Sequence, residues 1–271
     1  METSKIKNLI IYILLFVNLF LVGLIASDWI ETRRTEKTID EAIRTILAQN
    51  EMTLSMDKLF DNSSLRGYEV SRDFTREKEL VSSVLGKVTV SDQGGNILYY
   101  YNEERGQASF RGTGDFEMLL NPGVVPTTGD NVGTAESVLQ KMGIEGTYDA
   151  ASSEPDTVVM TCWYQDSPVV NCQIRFIFAS DFLLMITGTR LLDVQQEDPT
   201  VEILDAPTLL ARFVGIIDRN GYVCNEILDI SAMLLYTPDA TGGKLVPVWQ
   251  IETNTNTFYL NVSTGEEQAM A

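Results

Sequence analysis

Residues 157–178 read TVVMTCWYQDSPVVNCQIRFIF, two β-rich runs joined by a polar turn that contains proline. A turn centred on Ser167 opposes Val158 to Phe176, Met160 to Ile174, Cys162 to Cys172 and Tyr164 to Val170. All four pairs are apolar or thiol, while Thr161 with Gln173 and Trp163 with Asn171 fall on the other face. Such one-sided burial fixes register, because a slip of one residue sends the whole set to solvent. The stretch predicts an antiparallel hairpin with one face in a core. Directly opposed cysteines leave two readings open: a disulfide between Cys162 and Cys172, or two small thiols buried side by side. Cys224 has no evident partner and reads as buried.

Downstream the pattern repeats. A turn about Asn254-Thr255 opposes Ile251 to Phe258, Trp249 to Leu260 and Pro247 to Val262. Trp249, Phe258 and Tyr259 therefore read as core and face-stacking residues of a closing hairpin. Each hairpin belongs to a larger unit. Ala135, Val138, Leu139 and Met142 space a helix over Thr134–Met142, followed by strands near 157–165, 169–178 and 183–190. A second helix, Ala206 to about Ile217, precedes strands near 227–236, 244–253 and 257–263. Each unit is a helix with an antiparallel meander, which buries the helix against one sheet face.

Upstream, Leu80, Val81, Val84 and Leu85 share one face of a helix over 75–86, and Gly86 supplies its stop. A meander starts at Lys87, its short strands VTV, ILYYY and ASF separated by glycine-containing turns. Tyr99, Tyr100 and Tyr101 must alternate between faces, so at least one ring is open to a partner domain. Proline and glycine concentrate in 121–133, which reads as a domain boundary. Ile39, Ala42, Ile43, Ile46 and Leu47 predict a helix from Lys37 to about Gln49, with a brief strand from Met52 to Met56 after it.

Residues 8–27, NLIIYILLFVNLFLVGLIAS, carry no charge and reach about 30 Å as a helix, the thickness of a bilayer core. A cleaved signal is the competing reading, but cuts after Ala26 or Ser27 put Leu24 or Ile25 where a small residue is needed. The stretch is read as an uncleaved anchor. Lys5 and Lys7 before it nearly balance Arg33, Arg34 and Lys37 after it. The body is placed outside because long domains translocate largely regardless of charge.

Net charge is -18 and there is no histidine. The first feature excludes nucleic acid as a partner, since phosphate binding needs a basic face. The second removes the usual neutral-pH base and the commonest metal ligand. Three cysteines without CxxC spacing cannot build a four-thiolate site, and no phosphate-binding glycine loop is present. The Asp218–Gly221 stretch resembles a calcium loop only faintly, because Val223 stands where glycine is needed. The chain is expected to have no catalytic residues, no metal and no cofactor, and to act by association.

Three places carry a family resemblance: LLFVNLFLVG in the span, ELVSSVLGKVTV before a tyrosine-rich strand and FRGTGDFEML, and KLVPVWQIETNTNTFYLNVSTGEEQ at the end. The chain resembles the YycI/YycH family of membrane-anchored two-component regulatory proteins of Gram-positive bacteria, with a PepSY-like closing pattern that ends in Thr264-Gly265-Glu266. The resemblance implies a cytoplasmic end over 1–7, a transmembrane helix over 8–27 and an extracytoplasmic α+β body. That body would hold an N-terminal domain over 34–120 and PepSY-like units over 134–195 and 205–271. It implies a sensor histidine kinase of cell-wall control as partner, with a related accessory membrane protein beside it. Asn18, an amide inside the span, would bond a neighbouring helix or its own backbone, and Gly23 would allow close approach. An alternative implication is a PepSY-like inhibitor or chaperone of a secreted envelope peptidase.

Overall fold

A computed structural model describes residues 41–55, 62, 65–127, 129–239 and 242–268. Asn18 and Gly23, with the whole apolar stretch, lie outside the described residues. What is described is an α+β protein, mostly antiparallel sheet with few helices.

The first helix-and-meander unit begins with β2 (Gly67–Ser71) and α2 (Phe74–Leu85). Asp73 caps α2 by accepting from the amides of Thr75 and Arg76, and Gly86 closes it at φ 71°. Its meander is β3 (Thr89–Asp92), β4 (Leu98–Asn102), β5 (Gly106–Phe110) and β6 (Asp115–Leu120). The second unit is α3 (Asn131–Lys141), β7 (Gly146–Tyr148), β8 (Thr157–Tyr164), β9 (Ser167–Ala179) and β10 (Phe182–Thr189). Their last strands, β6 and β10, pair antiparallel. Residues 121–133 thus connect two units that share one sheet, ordered β7-β8-β9-β10-β6-β5-β4-β3. Helices α2 and α3 touch each other, and their apolar stripes join one core with the inward side chains of this sheet.

The third unit follows β11 (Asp193–Asp198): α4 (Ala206–Asn220), β12 (Glu226–Pro238), β13 (Gly242–Thr253) and β14 (Thr257–Asn261). Gly221, in the left-handed conformation at φ 67°, ends α4, so the calcium-like stretch is a helix cap. Strand order here is β11-β2-β13-β12, with β14 also on β13. The short β1 (Thr53–Leu54) pairs with β12. Helix α1, residues 41–49, sends Ile43 and Leu47 into the second core beside α4, Trp249, Phe258 and Leu260. Ile251 opposes Phe258 and Trp249 opposes Leu260, as the sequence predicts. Trp249 and Phe258 are buried and Tyr259 is half-buried.

The hairpin of 157–178 departs from its expected register at one point. Val158 faces Phe176, Met160 faces Ile174 and Thr161 faces Gln173, but Trp163 meets Pro168 and Tyr164 meets Ser167. The turn is tight, with Gln165 at φ 52°, so the extra length of β9 is taken up as a bulge beside Cys162. Tyr164 with Val170 and Trp163 with Asn171 are therefore not opposed pairs. The bulge frees β9 to join the other sheet: Val169 pairs with Leu234 of β12. The Asn171 amide also gives and takes a hydrogen bond with the Tyr236 backbone, at 2.6 and 2.9 Å.

Lys244 on β13 reaches Asp198 on β11 at 2.6 Å. That ammonium, with the Thr200 hydroxyl and amide, holds the Asp198 carboxyl down at about 2. The native state therefore binds fewer protons than an unfolded carboxyl of pKa ~3.9, so the pair stabilises fully above pH ~4 and fades toward pH ~2. Asp198→Asn flattens the acid limb of a urea-midpoint profile over that window. A limb of unchanged slope contradicts the assignment.

Candidate interaction surface

One face of the eight-stranded sheet is covered by α2 and α3, and the other is open at its centre. Alternation along the strands sorts the outward side chains into rows. Thr187 of β10 stands between Glu117 of β6 and Arg175 of β9, and Ser109 and Tyr99 extend that row across β5 and β4. Two residues along, Met185 stands between Leu119 and Ile177, with Gln107 and Tyr101 beyond. Glu117, Leu119, Arg175 and Tyr101 are exposed, and Thr187, Met185 and Ile177 are half-buried. Tyr100 points inward and is 1% exposed, whereas Tyr101 is 42% exposed. The tyrosine run thus divides between faces as the sequence requires.

A third row holds Arg111, Asp115, Thr189 and Gln173. Asp115 accepts from the Thr189 hydroxyl at 2.6 Å and from the Thr113 hydroxyl at 2.8 Å, which fixes its carboxylate across two strands. Ser109, Arg111, Asp115, Glu117, Thr187 and Thr189 line a shallow hollow of about 360 Å³. Gly188 is required in its wall. At φ 142°, a Cβ there would stand 2.0 Å from the Gln173 carbonyl oxygen. Beyond β9 the face rises. The loop 149–156 returns over β8, where the Asp149 carboxylate accepts from the Gln173 side chain at 3.3 Å. The Ser153 hydroxyl accepts from the Val159 amide at 2.9 Å. Val159, outward by alternation, is fully buried there.

Beneath the covered face lies a charged cluster. The Glu77 carboxylate, 0% exposed, accepts from Arg72 twice, at 2.7 and 2.8 Å, from Arg190 at 3.0 Å and from the Tyr100 hydroxyl at 2.7 Å. Burial, then the Glu77 carboxylate, pushes the Tyr100 phenol well above its ordinary range. Arg190 also lies over the Phe110 ring, 5.7 Å from its centroid. These groups tie α2, β4 and the end of β10 together. Glu77 shares the helix face of Leu80, Val81 and Val84, and a carboxylate on an apolar face is the sequence signal of a buried charge cluster.

Cys162 and Cys172 are both free, buried thiols. Burial pushes Cys162 up to about 12, and it raises Cys172 as well, with the neighbouring Cys162 adding to the shift. Such thiols are poor nucleophiles. Cys224 is a half-buried free thiol.

No family model matches the chain, and no curated protein matches it. Among solved structures it is similar to an uncharacterized protein from Eubacterium rectale, at 12% identity and a TM-score of 0.48, over 76% of this chain and 86% of that one. It is also similar to the Bacillus megaterium YpeB C-terminal domain, at 9% identity and a TM-score of 0.36, over 74% of this chain and 97% of that one.

Proposed function

We propose that this chain is a membrane-tethered binding protein that acts by association and not by chemistry, its partner a sensor histidine kinase of a two-component system. The observation that carries the association reading is the open sheet face, where Leu119, Met185 and Ile177 stand side by side as an apolar row, with Tyr101 beyond Gln107. Contiguous exposed apolar surface marks interaction sites. The partner class comes from the sequence resemblance, which places the apolar span of 8–27 beside kinase helices and the α+β body outside the cell. Binding then shifts the kinase only by the difference in affinity for its two states.

Asn18 is the span's polar contact. Tagged full-length protein, solubilised gently from membranes of its host, is expected to bring a histidine kinase with it, and Asn18→Leu to bring less. Absence of any kinase from the wild-type preparation overturns the partner. Equal recovery with both forms overturns the role of Asn18. If the full chain instead inhibits a secreted peptidase stoichiometrically, the peptidase-inhibitor reading replaces this one.

A further inference from the structure

Two rows of the open face are complementary across β10. In the row of Thr187, a carboxylate on one side (Glu117) answers a guanidinium on the other (Arg175). In the row of Met185, Leu119 on one side answers Ile177 on the other. An isologous interface needs this property: rotation by half a turn must set each residue against its complement. A two-fold axis lying along β10, in the plane between two such faces, sets Glu117 against Arg175 of a second copy and Arg175 against Glu117. Leu119 then meets Ile177, while Thr187 and Met185 meet their own equivalents.

The relief of the face obeys the same operation. The axis sets β5 against β8 of the other copy, so the edge of the hollow at Ser109 and Arg111 faces the raised loop 149–156. Charge balance points the same way. A body carrying -18 repels its own copies over most approaches. Across β5, β6, β10 and β9 the face offers Arg111 and Arg175 against Asp115 and Glu117, so these four charges cancel within the patch. We propose that the occupant of this face is a second copy of the chain, so that the protein is a two-fold dimer packed sheet to sheet about β10. The proposal rests on reading the face as an interaction surface; it assigns that surface to a second copy and leaves the kinase contact to the span.

The test is the protein mass of the full chain in detergent micelles, by light scattering, for wild type, Glu117→Arg, Arg175→Glu and the two combined. Wild type is expected as two copies, each single reversal as one, and the combined reversal as two again. A wild type of one copy, or single reversals that remain paired, overturns the dimer. A second readout does not depend on how the reversals fold. With Cys224→Ser as background, Thr187→Cys on the axis is expected to couple to its copy through a short bis-maleimide. Gln107→Cys, off the axis, is expected to couple much less. Equal coupling by both overturns the arrangement. A dimer that recovers no kinase sinks only the partner class, and a monomer that still recovers one sinks only the dimer.

Discussion

Glu77→Gln is expected to lower the unfolding free energy by about 3–5 kcal/mol, the cost of removing one partner from a buried ion cluster. The carboxylate is 0% exposed and takes four hydrogen bonds, three of them from the guanidinium groups of Arg72 and Arg190. Glutamine keeps the shape but removes the negative charge, so two cations stay in a low-dielectric interior without an anion. Its amide nitrogen also faces guanidinium N–H groups, which can only donate. The loss is read as a fall in the urea midpoint at unchanged slope. Replacing all three charged residues, as Arg72→Met, Glu77→Leu and Arg190→Met together, is expected to cost far less than Glu77→Gln alone, because no uncompensated charge remains. A midpoint for Glu77→Gln equal to that of wild type contradicts the account of the cluster.

Trp249→Ala is expected to cost about 3–5 kcal/mol by emptying the centre of the second core. The indole is 0% exposed and packs among Leu209, Phe213 and Leu260. Its Nε1 donates to the Asn62 side-chain oxygen at 2.8 Å, and the Asn62 amide donates to the Leu204 carbonyl at 3.1 Å. That chain of bonds fastens Asn62 to the third unit. Trp249→Phe keeps most of the apolar volume but leaves the Asn62 oxygen without its donor, an added cost of ~1–3 kcal/mol. Adding Asn62→Leu to Trp249→Phe is expected to recover part of that loss, measured as the coupling in a double-mutant cycle. Independent, additive effects of the two changes contradict the bond's role.

The strands and helices that bury one face were legible because their apolar spacing says so. α2, α3, α4 and both long hairpins fall within a few residues of the positions their periodicity predicts. The bulge in β9 was not legible. Val169 and Val170 are adjacent and both apolar, so a period of two gives no sign of where the register breaks. Strand β11, DVQQED, has no apolar alternation, and its pairing is supplied by β2 beside it. The junction of β6 with β10 joins residues far apart in sequence, and local pattern says nothing about which edges meet.

For the open face, the tyrosine run announced an outward ring, but the complementarity across β10 needs three strands set side by side. Glu117 and Arg175 acquire meaning only through their common neighbour Thr187. Chemistry spread over non-local registers is visible in a fold and silent in a string.

The central claim is a body outside the membrane whose open sheet face is occupied. It is tested most directly by labelling intact cells with a membrane-impermeant maleimide, using Leu119→Cys and Ser137→Cys separately with Cys224→Ser as background. Leu119 lies on the open face and is 40% exposed, and Ser137 is exposed on α3. The account predicts that Ser137→Cys labels without lysis, that Leu119→Cys is protected, and that both label equally once unfolded in urea. Equal labelling of the two in intact cells, or no labelling of either before lysis, contradicts it.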